Sequence, residues 1–437
     1  MVLNMKQREP ITVAIKSLSE DGCGYSEDER YAVYGSLVGE LVSAVPLARK
    51  RQRLYLSTTE VFEASPDRVE PKCTVASVCG GCSLQHMRRD AQLALKSDYL
   101  REQLAPLRPE QWLPPIVGPD FGYRTKARFG VKYVEKKNRL LVGFREKQMP
   151  FIVDAEQCII LTDRCGQLIN DLEKLVERLS IKRAIPQVEL AAGDSDVALV
   201  FRHLESFNDA DLEVLRLFSE ETGFRIWVQS AGPDSVRQIY PDSGSNTLTY
   251  RLSEFDLTFS FGPLDFTQVN LEVNRQMVNL AYSLLEPSSS DRILDAFCGI
   301  GNFSLALATS AEWVSGLELS IESVARAESN AKENSIDNVS FSVADLYKEP
   351  MLLPVDIEFN KVLLDPPRSG AEAVVKELAR WDVEKVVYVS CNPKTLARDA
   401  KILIQQGFVL QSAGIINMFP HTTHVESIAA FARSELA

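Results

Sequence analysis

The sequence predicts a multidomain chain whose largest part is an α/β domain built on a doubly wound, mostly parallel sheet. After residue 266, apolar strand-like runs alternate with helical segments, the pattern of a sheet covered by helices on both faces. Residues 11–63 instead contain short β-like runs separated by glycine turns, which is typical of a small β-barrel. The 437 residues also exceed the size at which a single core stops growing, about 250–300 residues.

These patterns divide the chain into three predicted domains. Residues 1–65 form the small barrel, residues 66–265 form an α+β central domain, and residues 266–437 form the doubly wound domain. Ligands of such sheets bind beyond the carboxyl ends of the strands, so the residues that follow each strand matter most. The predicted helices are 84–104, 163–179 and 270–285, and the strands predicted for the last domain are 292–297, 313–317, 339–343, 361–364, 385–389, 408–416 and 427–433.

Charge is unevenly distributed along the chain. The net charge is −12, yet residues 124–147 carry nine Lys or Arg against two Glu, whereas residues 151–265 carry 20 acidic and 10 basic residues. Phosphates respond to local basic patches, so the overall charge does not exclude a nucleic-acid partner. No run of about 18 apolar residues predicts a membrane span, and residues 1–10 lack the apolar core of a signal peptide. We expect a cytoplasmic monomer with no obligate protein partner.

Three acidic residues follow successive predicted strands of the last domain. Asp295 precedes a glycine-containing turn at residues 298–301, Glu318 ends the next strand, and Asp345 ends the third. An acid before the glycines disfavours a pyrophosphate and suits a cationic cofactor without phosphates. Glu318 is placed to bind ribose hydroxyls and Asp345 to accept from an adenine amine. The alternative is that these acids cap helices. A ladder of this kind is typical of Rossmann-like methyltransferases.

A cysteine follows the fifth predicted strand of this domain. Cys391 lies in Ser-Cys-Asn-Pro, and Pro393 begins a helix whose positive end is expected to lower the thiol pKa. The fourth strand is followed by Asp365-Pro-Pro-Arg368, where Arg368 replaces the aromatic residue that is common in methyltransferases acting on amines. A lone cysteine is more often structural, but this one lies beside the predicted cofactor site.

A thiolate in this place suits methylation of a uracil carbon. Carbon 5 is a poor nucleophile until a thiolate adds to carbon 6, and a base must later remove the carbon 5 proton. Glu426, in the run Phe419 to Glu426, is our predicted base, and His424 is the rival.

These motifs together resemble the RNA uridine-5-methyltransferase family. The matching segments are Phe297-Cys298-Gly299, Asp365 to Arg368, Ser390 to Pro393, Phe419 to Glu426 and Phe266 to Asn270. The resemblance implies a Rossmann-like class I methyltransferase domain, with Cys391 as nucleophile and Glu426 as base. It also implies S-adenosyl-L-methionine as cofactor, bound by Gln268, Phe297, Asn302, Glu318, Asp345 and Asp365.

Four further cysteines form a candidate metal site. Cys73, Cys79 and Cys82 are closely spaced, and 75 residues separate Cys82 from Cys158. The spacing alone fits either zinc or an iron–sulfur cluster. A subgroup of the resembled family carries a 4Fe–4S cluster on four matching cysteines, so the resemblance implies a central iron–sulfur domain. Cys165 is the alternative fourth ligand.

Two features predict a grip on RNA. The segment Tyr123 to Phe129 mixes basic and aromatic residues, which suits phosphate contacts and base stacking. The N-terminal barrel resembles the TRAM domain, an RNA-binding module of the oligonucleotide-binding (OB) type. With the cysteine cluster, this barrel resembles the family branch that acts on 23S ribosomal RNA. The alternatives are a transfer-RNA target, or an iron–sulfur RNA-binding regulator in which methylation is vestigial.

Overall fold

A computed structural model describes residues 9–348 and 358–433 of the chain. The start of the chain, from which we predict the absence of a signal peptide, lies mostly outside these residues. None of the helices in the described ranges combines the length and the apolar character that a membrane span requires.

Six short strands near the N-terminus form one sheet. Their order is β1-β5-β6-β4-β3-β2. Its two edge strands are separated in the chain by only Ile15 and Lys16, so the sheet curls round a small apolar core that contains Val13, Val33 and Leu56. The strands are β1 (Ile11–Ala14), β2 (Ser17–Leu18), β3 (Cys23–Tyr25), β4 (Tyr31–Tyr34), β5 (Leu41–Lys50) and β6 (Arg53–Glu63).

The next two elements pack against the C-terminal domain, although the sequence assigned them to the central one. Helix α1 (Arg89–Leu104) buries Leu100 and Leu104 in the apolar core of the C-terminal domain. The short strand β7 (Gln111–Trp112) forms an edge of the C-terminal sheet. The sequence pattern missed this because an amphipathic helix does not identify the surface on which its apolar side packs.

The central domain is a six-stranded sheet with helices on one face. Its strand order is β13-β12-β11-β10-β8-β9, and only β11 and β12 run parallel. A separate hairpin, β14 and β15, follows it and packs on the C-terminal domain. The elements are β8 (Lys126–Val134), β9 (Arg139–Gly143), α2 (Leu168–Glu177), β10 (Gln187–Ala192), β11 (Val197–Arg202), α3 (Asp209–Thr222), β12 (Arg225–Gln229), β13 (Arg237–Tyr240), β14 (Leu248–Leu252) and β15 (Leu257–Phe261).

The C-terminal domain is the predicted doubly wound sheet. Its order is β18-β17-β16-β19-β20-β22-β21-β7, and β22 runs antiparallel to both of its neighbours. Each of the seven predicted strands agrees with its observed range to within one residue, and β7 was not predicted. The elements are α4 (Leu271–Leu285), β16 (Arg292–Ala296), α5 (Ser304–Ala308), β17 (Trp313–Glu318), α6 (Ile321–Glu333), β18 (Val339–Val343), β19 (Lys361–Leu364), α7 (Glu372–Glu377), β20 (Lys385–Ser390), α8 (Pro393–Gln405), β21 (Phe408–Ile416) and β22 (Glu426–Arg433).

Candidate active site

The register between two neighbouring strands brings Cys391 and Glu426 together. Strands β20 and β22 are paired up to Ser390 and Ser427, and the Ser427 hydroxyl donates to the Ser390 carbonyl at 3.1 Å. Cys391 is the next residue on one strand and Glu426 the preceding residue on the other. Side chains that lie opposite each other on antiparallel strands are close neighbours. The thiol and the carboxyl group therefore lie side by side at one end of the sheet.

The loop that follows β19 is hydrogen-bonded to the loop that carries Cys391. The Asn392 side chain caps helix α8 by accepting from the Lys394 amide at 3.2 Å, and it also donates to the Arg368 carbonyl at 3.0 Å. The Arg368 guanidinium donates to His424 Nδ1 at 3.2 Å, which requires His424 to be neutral at that nitrogen. Arg368 thus lies between the loop that carries Cys391 and the loop that leads to Glu426.

The pKa of the Cys391 thiol is opposite in direction to the sequence prediction. Burial, together with the nearby Glu426 and Asp365, raises this pKa to about 11, although Arg368 lowers it. The expectation that the start of helix α8 would lower the thiol pKa is therefore wrong for the free protein. The dipole of one helix is worth less than the loss of hydration and the two acidic neighbours.

Two buried carboxyl groups share this pocket. Burial raises the pKa of Asp365 to about 7. Burial also raises the pKa of Glu426 well above its usual value, with Asp365 adding to the rise and Arg368 opposing it. A carboxyl group whose pKa is raised toward neutrality is well matched to general acid–base work. Burial and Arg368 lower the pKa of His424, so this rival base is largely neutral at pH 7.

A cavity of about 810 Å³ opens on Cys391 and Glu426. It runs along the carboxyl ends of strands β16, β17 and β19, where the sequence predicts a cofactor. Among the predicted binding residues, its wall includes Gln268, Phe297, Asn302, Glu318 and Asp365, together with Cys391 and Glu426.

The predicted acids are placed differently from one another. Glu318 lies in the cavity wall and accepts from the amides of Gly299 at 3.2 Å and Leu319 at 2.7 Å. Asp345 lies outside that wall, where it pairs with Lys348 at 3.3 Å, so its predicted adenine contact stays a prediction. Asp295 is fully buried beneath the glycine turn, where it accepts from the Ser304 hydroxyl.

Two tyrosines that the sequence analysis did not single out complete the wall. Tyr347 has its ring 5.8 Å from that of Phe297, so two aromatic side chains flank the cavity. Tyr250 donates to the Asn302 side-chain oxygen at 2.8 Å, and Asn274 donates to the same atom at 3.0 Å. The side-chain oxygen of Asn302 is therefore held by the protein itself. The only sequence signal for Tyr347 was its position two residues after Asp345.

The four predicted metal-binding cysteines line the same cavity at its far end. Cys73, Cys79, Cys82 and Cys158 all face it. Burial raises the pKa of the Cys79, Cys82 and Cys158 thiols, and neighbouring thiols add to the rise. Cys165 is instead fully buried in the core of the central domain. Within residues 9–348 and 358–433, no three His, Cys, Asp or Glu side chains converge closely enough to hold a single metal ion.

An open groove of about 860 Å³ reaches Cys391 from the other side. Its walls come from the N-terminal sheet, the segment that contains Cys82, the central domain and the loops that carry Arg368, Cys391 and His424. Arg145, Lys147 and Arg368 contribute cationic side chains to it. Cys391 therefore lies between a cofactor-sized cavity and a wider groove that is open to solvent.

The predicted stacking surface in the segment Tyr123 to Phe129 is not formed. Tyr123 is buried and donates to the Pro420 carbonyl at 3.1 Å, whereas Phe129 is fully buried against the helices of the central domain. Lys126 is held by the Asp265 carbonyl. The alternation of strand β8 turns Phe129 to the core, so only Arg124 and Arg128 keep the predicted phosphate-binding role.

Comparison with known proteins identifies the family to which the chain belongs. Residues 88–433 match the family model described as tRNA (Uracil-5-)-methyltransferase. The chain belongs to this family. It is 45% identical to the 23S rRNA (uracil(1939)-C(5))-methyltransferase RlmD of Hahella chejuensis, over 98% of each protein. It is 46% identical to the protein of the same name from Methylococcus capsulatus, over 97% of each.

A solved structure of the uracil-5-methyltransferase type resembles the whole chain. The Pyrococcus abyssi tRNA (uracil-54, C5)-methyltransferase, in complex with S-adenosyl-L-homocysteine, superposes with a TM-score of 0.76 at 27% identity. The similarity covers 96% of this chain and 99% of that one. A class I methyltransferase domain and the use of S-adenosylmethionine are thereby supported for this family member.

The raised thiol pKa leads to a first prediction. In the ligand-free protein, the rate of Cys391 alkylation by iodoacetamide should rise about tenfold per pH unit between pH 7 and 10, because the thiolate fraction does so below the pKa. Arg368→Gln should slow the reaction at every pH in that range, whereas Arg292→Gln, on the surface far from the site, should not. Alkylation is followed by mass spectrometry of the peptide that contains Cys391. A midpoint below pH 8.5 would mean that the helix dipole outweighs burial.

The aromatic pair leads to a second prediction. Tyr347→Ala should raise the dissociation constant for S-adenosylmethionine about threefold to tenfold, since an aromatic contact contributes about 0.5–1.5 kcal/mol. Tyr347→Phe is the matched control and should bind within about twofold of wild type, because the ring is kept and its hydroxyl faces Ser369 at 3.0 Å. Calorimetric titration measures both. Equal affinity of Tyr347→Ala and wild type would contradict the placement of the cofactor beside this ring.

Proposed function

We propose that this chain transfers a methyl group from S-adenosylmethionine to carbon 5 of a uridine in 23S ribosomal RNA. The observation that carries the proposal is the side-by-side placement of Cys391 and Glu426 in the wall of the cofactor cavity, with Cys391 also lining the open groove. A thiol and a carboxyl group are the two groups that this chemistry requires of the protein.

The site residues have defined roles in this scheme. The Cys391 thiolate adds to carbon 6 of the uracil, a carbon–sulfur bond forms, and the electrons of the carbon 5–carbon 6 double bond make carbon 5 nucleophilic. S-adenosylmethionine supplies the methyl group from its sulfonium. The ionised Glu426 then takes the carbon 5 proton, the double bond re-forms, and the thiolate leaves. Arg368, the cation that lowers the pKa of both groups, favours their ionised forms.

The same proposal assigns the cofactor to the cavity lined by most of the predicted binding residues. We infer that Gln268, Phe297, Asn302, Glu318 and Asp365 bind it, with Asp345 in a less direct role because it lies outside the wall. Buried acidic groups suit a cationic ligand, because its charge offsets theirs. This electrostatic match supports a sulfonium cofactor over a phosphate-bearing one.

The choice of ribosomal RNA is supported by sequence identity more than by architecture. The relatives named 23S rRNA (uracil(1939)-C(5))-methyltransferase match at 45% and 46% identity over nearly the full length of each protein. The barrel and the cysteine cluster support this choice less strongly, because the similarity to a protein described as a transfer-RNA enzyme covers 96% of this chain. Transfer RNA is therefore the alternative substrate.

We further infer that the N-terminal sheet is a TRAM-like barrel that contacts RNA. Its hairpin between β5 and β6 exposes Arg49, Lys50 and Arg51, which suit phosphate contacts. Lys394, at the start of helix α8, pairs with Glu20 of this sheet. A chain of RNA bound along the groove would thus meet the barrel and Cys391 together.

A 4Fe–4S cluster on Cys73, Cys79, Cys82 and Cys158 is the second part of the proposal. One zinc ion requires sulfur ligands at about 2.3 Å, a convergence that the described thiols lack. The thiolates that hold a four-iron cluster lie farther apart, because each one binds a different iron atom. The Lys147 ammonium donates to the carbonyls of Ala76 and Ser77 in this loop, so a cation lies beside the proposed thiolates.

The function is tested by methylation of defined RNAs. Unmodified 23S ribosomal RNA and unmodified transfer RNA are incubated with labelled S-adenosylmethionine and wild-type, Cys391→Ala or Glu426→Gln protein, and nucleosides are identified by mass. We expect 5-methyluridine only in ribosomal RNA with wild type, and a loss of at least about 10³-fold in Cys391→Ala. Product in transfer RNA alone would move the assignment to that substrate. Methylation of neither RNA by protein with an intact cluster would favour an RNA-binding regulator.

The cluster is tested by metal and sulfide analysis. Cys158→Ser should lose iron and acid-labile sulfide, whereas Cys165→Ser should keep both, because Cys165 is buried away from the cavity. Purification without oxygen keeps the comparison fair. Zinc in place of iron, or equal metal loss in both variants, would contradict the proposed ligand set.

A further inference from the structure

The loop between strands β21 and β22, residues 417–425, forms the wall between the cofactor cavity and the open groove. Thr422, His424 and Val425 face both spaces, and the loop ends at Glu426. At its other end, Ile416 pairs with Glu426 across the two strands. The conformation of this loop therefore sets the surroundings of the proposed base.

A buried lysine from outside the predicted methyltransferase domain holds the start of this loop. Lys96 of helix α1 is 1% exposed, and its ammonium donates to the Asn417 side-chain oxygen at 2.7 Å and to the Phe419 carbonyl at 2.9 Å. Asn417 directly follows Ile416, the residue that pairs with Glu426. Both acceptors are therefore fixed close to the end of the strand that orients the base.

A second side chain on the same face of helix α1 extends this contact. Gln92, one turn before Lys96, accepts from the His421 amide at 2.9 Å and donates to the carbonyls of Leu84 and Met87 at 3.1 and 2.7 Å. The His421 carbonyl accepts from the amides of Ser83 and Leu84, both at 2.9 Å. His421 has a φ of 63°, a left-handed conformation that needs such support in a residue with a side chain.

Lys96 is an unusual residue for this place if its role is only to fill space. Burying an amine costs free energy unless hydrogen bonds compensate, and burial lowers the pKa of Lys96 to about 7. Its two donated bonds both end on the loop that carries the base. Removing the amine leaves a buried amide oxygen and a partly buried carbonyl without this donor, which favours a rearranged loop.

We propose that Lys96 is a positioning residue, which holds the loop of residues 417–425 so that Glu426 reaches the proton on carbon 5. The proposal rests on the proposed function, because it assigns a role within that reaction. Lys96 acts through the loop and touches neither substrate nor cofactor. The step it controls is proton removal, after the carbon–sulfur bond has formed and the methyl group has been transferred.

The test separates the steps of the reaction in Lys96→Met, which keeps the aliphatic stem and removes the donor. We expect kcat on 23S ribosomal RNA to fall about 10- to 100-fold, with KM for RNA and for S-adenosylmethionine changed less than about threefold. A methylated covalent protein–RNA adduct should accumulate on denaturing gels, because the thiolate cannot leave until the proton is removed.

Lys361→Met is the matched control. Like Lys96, Lys361 is buried, and it donates to Asp291 at 2.7 Å and to the Glu286 carbonyl at 2.6 Å. It lies at the amino end of strand β19, the end of the sheet opposite the site. It should lower the melting temperature without adduct accumulation. Asn417→Ala removes one acceptor and should also accumulate adduct, which keeps the test valid if Lys96→Met folds poorly.

Two results would overturn the role of Lys96. One is an unchanged kcat, and the other is a lowered kcat without adduct in both Lys96→Met and Asn417→Ala. Failure of the proposed function is separately visible, since wild type would then form no 5-methyluridine or Glu426→Gln would trap no adduct. In that case the role given to Lys96 fails with it.

Discussion

The register between strands β20 and β22 is the constraint on which the rest of the site depends. A shift of one residue would turn Cys391 or Glu426 to the other face of the sheet. Six consecutive pairs, from Lys385 with Ala432 to Ser390 with Ser427, fix this register. Nearly all of these side chains are buried, so apolar packing on both faces opposes a slip. The geometry of the thiol and the carboxyl group follows from sheet packing far from the chemistry.

In the free protein, the surroundings of the site favour the protonated forms of Cys391 and Glu426, whereas the proposed reaction uses their ionised forms. Cys391, Glu426 and Asp365 are close together in a poorly hydrated place, and each is stabilised in its neutral form. For the two carboxyl groups, the neutral form is favoured by folding, so their contribution to stability is greatest at low pH and is lost as pH rises through the raised pKa. Arg368 opposes this tendency. A bound cation would oppose it further, which links cofactor binding to activation of the nucleophile.

The strands and the positions of Cys391 and Asp365 at their ends were predictable from the sequence, whereas the contacts around them were not. Buried parallel strands are continuous apolar runs, so their ends could be located, and Cys391 and Asp365 follow them directly. Tyr347 lies in a loop without such a pattern. The burial of Tyr123 and Phe129 depends on which face of strand β8 meets the helices, which composition does not show. The raised thiol pKa depends on desolvation, a property of the folded surroundings rather than of neighbours in sequence.

The regions outside the methyltransferase sheet are built into the site rather than attached to it. Gly22 of the N-terminal sheet has a φ of +76°, and a side chain there would meet Thr423 at 3.1 Å and Ser83 at 3.2 Å. Ser83 directly follows the proposed cluster ligand Cys82, and its amide donates to the loop that precedes Glu426. One chain of contacts therefore joins the N-terminal sheet, the segment that contains Cys82 and Ser83, and the proposed base. Because each part touches the same loop, loss of the proposed cluster or displacement of the N-terminal sheet would act on the proposed proton removal as well as on RNA binding.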